Sequence, residues 1–195
     1  MPLIKEQNFA HDKIYIGIDP GKNGGLVALN QVEVFSALRM PETEKDIWDW
    51  FAHWSSTDFL TDQKIIAVIE QVSGHIGKDQ PGSAMFNFGW GYGGLRMALI
   101  GNNIPSEDAP PQRWMKALKI PSRKKHTGTQ KVQLTRGKNK GKWVTRKCGG
   151  ETDTEWKNRL KAIAQRLFPS EKVTNATADA LLIATYCMRK DLGNL

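Results

Sequence analysis

Three carboxylates stand where secondary structure alone would not ask for them. Asp19 closes the run KIYIGID (13–19), just ahead of Pro20 and Gly21. Glu70 stands where the unbroken apolar part of KIIAVIEQV (64–72) stops. Asp179 lies near the start of the apolar part of VTNATADALLIATY (173–186). Burying a carboxylate is costly unless it is paired or bound to a metal. Three that converge without a cation repel one another and raise one another's pKa values. Oxygen-only ligands of this kind suit Mg²⁺ or Mn²⁺. Two such ions can clamp the attacking and leaving oxygens of a phosphodiester. Each acid also has an ordinary reading. Asp before Pro-Gly is a common turn former. Glu70 can be the polar end of a strand, and Asp179 a first-turn acid favoured by the helix dipole. Spacing along the chain does not bring the three together; that step needs the fold.

The elements that must position them can be read from periodicity. KIYIGID alternates and is rich in isoleucine, the pattern of a strand. PGKNGG (20–25) is a turn cluster, and GLVALN and VEVFSAL follow as short strands separated near Asn30 and Gln31. An antiparallel meander is expected there. TEKDIWDWFAHW (43–54) places Ile47, Trp50, Phe51 and Trp54 at helical spacing, with acids in its first turns. KIIAVIEQV is the near-continuous apolar run of a central strand buried on both faces. DQPGSAMFNFGWGYGGLRMALIG (79–101) reads as Gly-rich first and helical afterwards. Its glycines at 89, 91, 93 and 94 lower helix propensity and would let another backbone come close. Phe86, Phe88, Trp90 and Tyr92 read as a core or dimer stripe in preference to a DNA contact. APPQRWMKALKI (109–120) is a short helix opened by proline. TEWKNRLKAIAQRLFP (154–169) is an amphipathic helix stopped by Pro169, with an apolar stripe of Trp156, Leu160, Ile163, Ala164 and Leu167. A last helix is expected from near 175 to about 190, with Asn175 available as its N-cap. Strands, a helix, a strand and then helices make an α/β fold with a mixed sheet.

Charge is distributed unevenly. The chain carries a formal +8, yet residues 1–108 hold 8 Lys/Arg against 14 Asp/Glu. Residues 109–150 hold 13 Lys/Arg and no acid, and residues 151–195 hold 7 against 6. One segment therefore carries the whole positive excess. A patch focused in this way attracts a polyanion, of which nucleic acid is the common one. KVQLTRGKNKGKWVTRK (131–147) reads as a basic β-hairpin or mobile loop around GKNKG. The candidate backbone contacts are Arg113, Arg123, Lys124, Lys125, Lys131, Arg136, Lys138, Lys140, Lys142, Arg146 and Lys147. Trp143, inside this cluster, can stack on an unpaired base or pack the hairpin against the body.

At 195 residues and 39% hydrophobic content the chain suits one domain, 1–195, with the basic segment of about 123–150 as an insertion. No apolar run is long enough to span a membrane. MPLIKEQNFAHDK has no apolar core of a secretory signal. Cys148 and Cys187 form no framework and no CxxC, so reduced thiols and a cytoplasmic setting are expected. IGIDPGKNGG is a strand, an acid and a Gly-rich turn, a combination that also occurs where phosphates are held. It is not a P-loop, and no second or third phosphate loop supports an ATPase.

Taken together, the motifs YIGIDPGKNGGLVAL, AVIEQV, SAMFNFGWGYGGLR, PPQRWMKAL, RLFP and ADALLIA resemble the RuvC-like Holliday junction resolvases, particularly the phage-encoded ones, of the ribonuclease H-like superfamily. The anchors span nearly the whole chain in order; residues 123–150 fit less well. The resemblance implies a mixed five-stranded sheet flanked by helices and a homodimer. It implies a nuclease using two Mg²⁺ or Mn²⁺ ions to resolve four-way or branched double-stranded DNA, leaving 5′-phosphate and 3′-hydroxyl ends in the host cytoplasm. Asp19, Glu70 and Asp179 match its metal-binding acids. The family usually has a fourth acid three or four residues before the last one. Here those positions are Asn175 and Ala176. Asn175 offers a neutral oxygen and no charge. Three readings stand side by side: a site of three acids plus Asn175, a relative that binds without cutting, or an Asp-to-Asn substitution made to trap a substrate complex. Ribonuclease H-like nucleases acting on flaps or hybrids are the neighbouring alternative.

Overall fold

Strand β1 (Ile14–Asp19) sits in the middle of the molecule and sorts its side chains by parity. Ile14, Ile16 and Ile18 enter one apolar cluster, and Tyr15 enters another on the opposite face of the sheet. Gly17 and Asp19 therefore share the side of Tyr15. The computed structural model describes residues 13–56, 64–72 and 81–195. The expectations for the N-terminal segment and for residues 79 and 80 lie outside them, as does the side chain of Lys147.

β2 (Gly25–Leu29) and β3 (Val34–Arg39) complete the expected antiparallel meander. Asn30 turns the chain between them, its Oδ1 accepting from the amides of Val32 and Glu33, both at 2.8 Å. After α1 (Glu44–Ser55), β4 (Ile65–Glu70) runs parallel to β1. α2 (Gly82–Gly101) leads into β5 (Ser106–Ala109), parallel to β4. The sheet order is β3-β2-β1-β4-β5, the mixed five-stranded arrangement expected. α3 (Pro111–Ala117), α4 (Asp153–Leu167) and α5 (Ala178–Asp191) follow. Residues of these three helices line the apolar cluster on the Tyr15 face, while those of α1 and α2 line the cluster with Ile14, Ile16 and Ile18. The helices thus cover both faces.

Three local expectations are corrected. β5 is a strand that its sequence, SEDA, does not advertise, because it is four residues long and half acidic. Its acids are held by partners from elsewhere: Arg96 pairs with Asp108 and Lys190 with Glu107. α2 is helical through its glycines from Gly82 onward, with no Gly-rich lead-in. A Cβ at Gly89, Gly91, Gly93 or Gly94 would meet nothing within 4 Å, so among the described residues no backbone approaches them. α5 starts at Ala178 with Thr177 at its N-cap position, not at Asn175.

β6 (Gly128–Gln133) and β7 (Trp143–Cys148) form the basic hairpin as a separate two-stranded sheet. Gly137 and Gly141 take left-handed φ values of 82° and 88° at its turn, where a side chain would be strained. Among the described residues, no helix is long and apolar enough to cross a membrane.

Candidate active site

Strand parity and register bring two of the acids side by side. Asp19 lies on the α5 face of β1. On β4, Ile66 and Val68 belong to that same face, so Glu70 does too. The parallel register pairs Ile18 with Ile69, which sets Asp19 and Glu70 one step further at the same end of neighbouring strands.

The third acid comes from α5, and its place depends on two glycines. A Cβ on Gly17 would lie 2.2 Å from the Ala180 carbonyl oxygen and 2.3 Å from the Ala184 amide nitrogen. A Cβ on Gly25 would lie 2.6 Å from the Ala176 carbonyl oxygen. Only bare backbone on β1 and β2 lets α5 and its entry turn lie this close to the sheet. Thr174 and Thr177 clamp the turn reciprocally: Thr174 N–H donates to Thr177 Oγ1 at 3.0 Å, and Thr177 N–H to Thr174 Oγ1 at 3.2 Å. The next turn carries Asp179. The helix then stays buried along Ala180, Leu181, Leu182, Ile183 and Ala184, which holds that carboxylate in place.

The three acids are also coupled electrostatically. Burial pushes the Asp19 carboxyl well above its ordinary range, and the charges of Asp179 and Glu70 push it further. Burial and the Asp179 charge raise Glu70 to about 7. Asp179 is raised by burial. One cation opposes all three shifts, Lys157 of α4. One hydrogen bond helps as well: the fully buried Trp114 donates from Nε1 to Glu70 Oε2 at 3.1 Å. Neither partner was expected from the sequence. The available cue for Trp114 was an indole in a short helix, whose N–H needs an acceptor once buried. Lys157 precedes the buried Leu160 by three residues, at the edge of the apolar stripe of α4. A capping box between Thr152 and Glu155 fixes the start of that helix.

This donor set fits a hard divalent cation in kind. It consists of carboxylate oxygens whose raised pKa values express a surplus of negative charge that a cation would relieve. As they stand, no group of three or more His, Cys, Asp or Glu side chains among the described residues is arranged to hold a metal ion. Asn175 is exposed in the turn ahead of α5. Its side chain makes no hydrogen bond to a described residue, while the carbonyl of the next residue, Ala176, lies against Gly25, the cross-strand partner of Asp19.

Of the expected DNA contacts, Arg113 is exposed on α3, and Lys124, Lys125, Lys131, Arg136, Lys138, Lys140, Lys142, Trp143 and Arg146 are exposed along the hairpin and its approach. Arg123 is exposed too, but its guanidinium is engaged: it donates to the Glu151 carbonyl at 2.9 Å and to Asp153 Oδ1 at 2.5 Å. It closes the root of the hairpin. Phe86, Phe88, Trp90 and Tyr92 divide in two. Tyr92 packs on the α1–α2 core and Phe88 is half-buried, 3.2 Å from where a Cβ on Gly21 would be. Phe86 and Trp90 are exposed.

No protein-family model matches this chain, and no curated protein matches it in sequence. Among solved structures the chain is similar to Thermus thermophilus RuvC, with a TM-score of 0.48, 14% identity, and coverage of 93% of this chain and 97% of that one. It is similar, too, to T. thermophilus RuvC in complex with a Holliday junction substrate, with a TM-score of 0.49 at the same identity and coverage.

Proposed function

We propose that this chain is a metal-dependent, structure-selective endonuclease that hydrolyses phosphodiesters in four-way or branched DNA. The observation that carries the reading is the gathering of Asp19, Glu70 and Asp179, from β1, β4 and α5, on one side of the sheet, where each carboxyl pKa is raised. The acid-free basic segment supports a polyanionic substrate.

Asp19, Glu70 and Asp179 would hold Mg²⁺ or Mn²⁺, two ions in the full reading. The bound cation would supply a water made nucleophilic at neutral pH and charge stabilisation at the leaving oxygen. The chain's own residues do the rest. Trp114 holds Glu70 in one orientation. Lys157 offsets part of the carboxylate charge and adds to the field that draws a phosphate in. Exposed lysines and arginines of residues 113–146 contact the sugar–phosphate backbone, so affinity falls steeply with salt. Selection of a branch over plain duplex rests on its shape and deformability.

A homodimer is part of this reading. Phe86, Trp90, Met97 and Ile100 are each at least 63% exposed on α2. With Gly93 they follow a four-three spacing that forms one apolar stripe. A second copy packed there would present two sites related by two-fold symmetry, as a four-way junction requires.

Asn175 favours a second reading, a junction-binding protein without cleavage. It is neutral and exposed where the resemblance implies an acid. The test is cleavage of a labelled synthetic four-way junction with Mg²⁺ and with Mn²⁺, by the chain, by Asp19→Asn and by Asn175→Asp. Metal-dependent cutting that Asp19→Asn abolishes supports the nuclease. Cutting that survives Asp19→Asn sinks the site. Tight binding without cutting, with activity switched on by Asn175→Asp, makes the native chain a binder.

A further inference from the structure

The hairpin stands apart from the body. Neither β6 nor β7 packs broadly on any other described element. A lone two-stranded ribbon is marginal in water, and among the described residues this one is fastened at its root. Arg123 reaches Glu151 and Asp153, Arg159 donates to Glu151 Oε2 at 2.8 Å, and Thr127 N–H donates to the Cys148 carbonyl at 3.1 Å. That root joins the start of α4, the helix that also carries Lys157. The Trp143 indole is 65% exposed.

Register sorts the ribbon into two faces. Gln133 pairs with Trp143, Lys131 with Thr145, and Val132 with Val144. Cross-strand partners share a face, and diagonal neighbours lie roughly 7–8 Å apart. Lys131, Gln133, Trp143 and Thr145 therefore share one face, with the ammonium chain of Lys131 diagonal to the indole. Val132 and Val144 lie on the other, both partly buried. The face with Trp143 has no acid and no apolar neighbour to cover the ring.

We infer that this face binds unpaired nucleotides, stacking a nucleobase on Trp143 while Lys131 takes an adjoining phosphate. A ribbon that read a duplex groove would offer hydrogen-bonding side chains to base edges. Gln133 on this face is turned inward, donating to the Gly141 carbonyl at 2.9 Å, which leaves the exposed indole as its largest free surface. Every base has a matching plane once it leaves the helical stack. Positive charge without acids selects the polyanion; the indole selects its unstacked part. This inference rests on the reading of the chain as a protein of branched DNA, and it assigns the hairpin to the opened nucleotides at the branch.

The experiment uses the full chain in EDTA, so that binding is read without cleavage. The probes are a continuous duplex and the same duplex with a short single-stranded gap containing 2-aminopurine. The expected result is about a tenfold loss of affinity for the gapped probe in Trp143→Ala, with at most a twofold loss on the duplex. Trp143→Phe retains most of the affinity, and the 2-aminopurine quench seen on binding disappears in Trp143→Ala. An equal loss on both probes places the ribbon in a groove and overturns the inference, as does no loss on either. If the native chain cuts a four-way junction while Trp143→Ala binds the gap unchanged, the hairpin assignment alone fails. If the native chain binds neither probe and cuts no junction, the nuclease reading fails with it.

Discussion

Trp114 Nε1 donates to Glu70 Oε2 at 3.1 Å, and among the described residues it is the one hydrogen bond to reach any of the three gathered carboxylates. The indole comes from α3, immediately after the strand that pairs with the end of β4. A donor aimed at a carboxylate favours its charged form, so this contact restrains a pKa that burial drives upward.

Trp114→Phe keeps the buried ring and removes the donor. Glu70, already at about 7, should rise further. In the metal-free protein the Glu70 titration is expected to move to higher pH by about one unit, with a stability loss of about 1 kcal/mol. The pH dependence of stability in EDTA measures the first and urea denaturation at a fixed pH the second. An unmoved Glu70 titration would show that Trp114 serves packing alone.

Glu70 also makes stability depend on pH in the metal-free protein. Its folded pKa of about 7 lies above the ordinary 4.5, so the folded state holds the proton more tightly than the unfolded one. The stabilisation is complete below about pH 4.5 and is lost as pH rises through 7. The shift corresponds to about 3 kcal/mol. Glu70→Gln cannot ionise, so in EDTA at pH 8 it is expected to melt several degrees above the native chain, with the gap closing by pH 4. Thermal melts at the two pH values decide it. A variant that melts lower at pH 8 contradicts the assigned burial cost.

Gly17→Ala should separate α5 from the sheet. The new methyl would sit 2.2 Å from the Ala180 carbonyl oxygen, against backbone that has no room to yield. A loss of about 3 kcal/mol is expected, with Asp179 displaced and junction cleavage lost at temperatures where the protein remains folded. Denaturation curves and a cleavage assay below the melting point check the two parts. Native stability in the variant would mean that α5 does not lie on Gly17.

Met97→Glu places a charge in the middle of the exposed α2 stripe. If a second copy covers that stripe, the solution mass should fall from twice the chain mass to one, without loss of secondary structure. Junction cleavage should change from paired to single nicks. Light scattering and a two-colour nicking assay read these. A native chain that is monomeric at micromolar concentration and still nicks both strands together removes the dimer from the proposal.

Much of this was legible in the residues. The meander, β4, the amphipathic α4 and the apolar α5 all follow from hydrophobic period, which local sequence carries directly. Asp19, Glu70 and Asp179 were visible because a carboxylate at the edge of an apolar run needs a reason. Other features were hidden because their cause lies far along the chain. β5 is held by Arg96 and Lys190, which no local window contains. Trp114 meets Glu70 across 44 residues. The start of α5 is set by Thr174, Thr177 and the space above Gly25, so Asn175 lost the capping role its type suggests. Arg123 counted as a free cation in the sequence until its partners at Glu151 and Asp153 appeared.

The close seating of α5 on Gly17 makes the set of acids depend on a long-range contact. β1 and β4 can pair with two acids in place, yet the third arrives only when a helix from the far end of the chain settles on the sheet. A half-folded molecule, with its sheet formed and its last helix adrift, therefore carries an incomplete set of acids. In the nuclease proposed above, a contact between the first described strand and the last helix would therefore also be the one that completes the site.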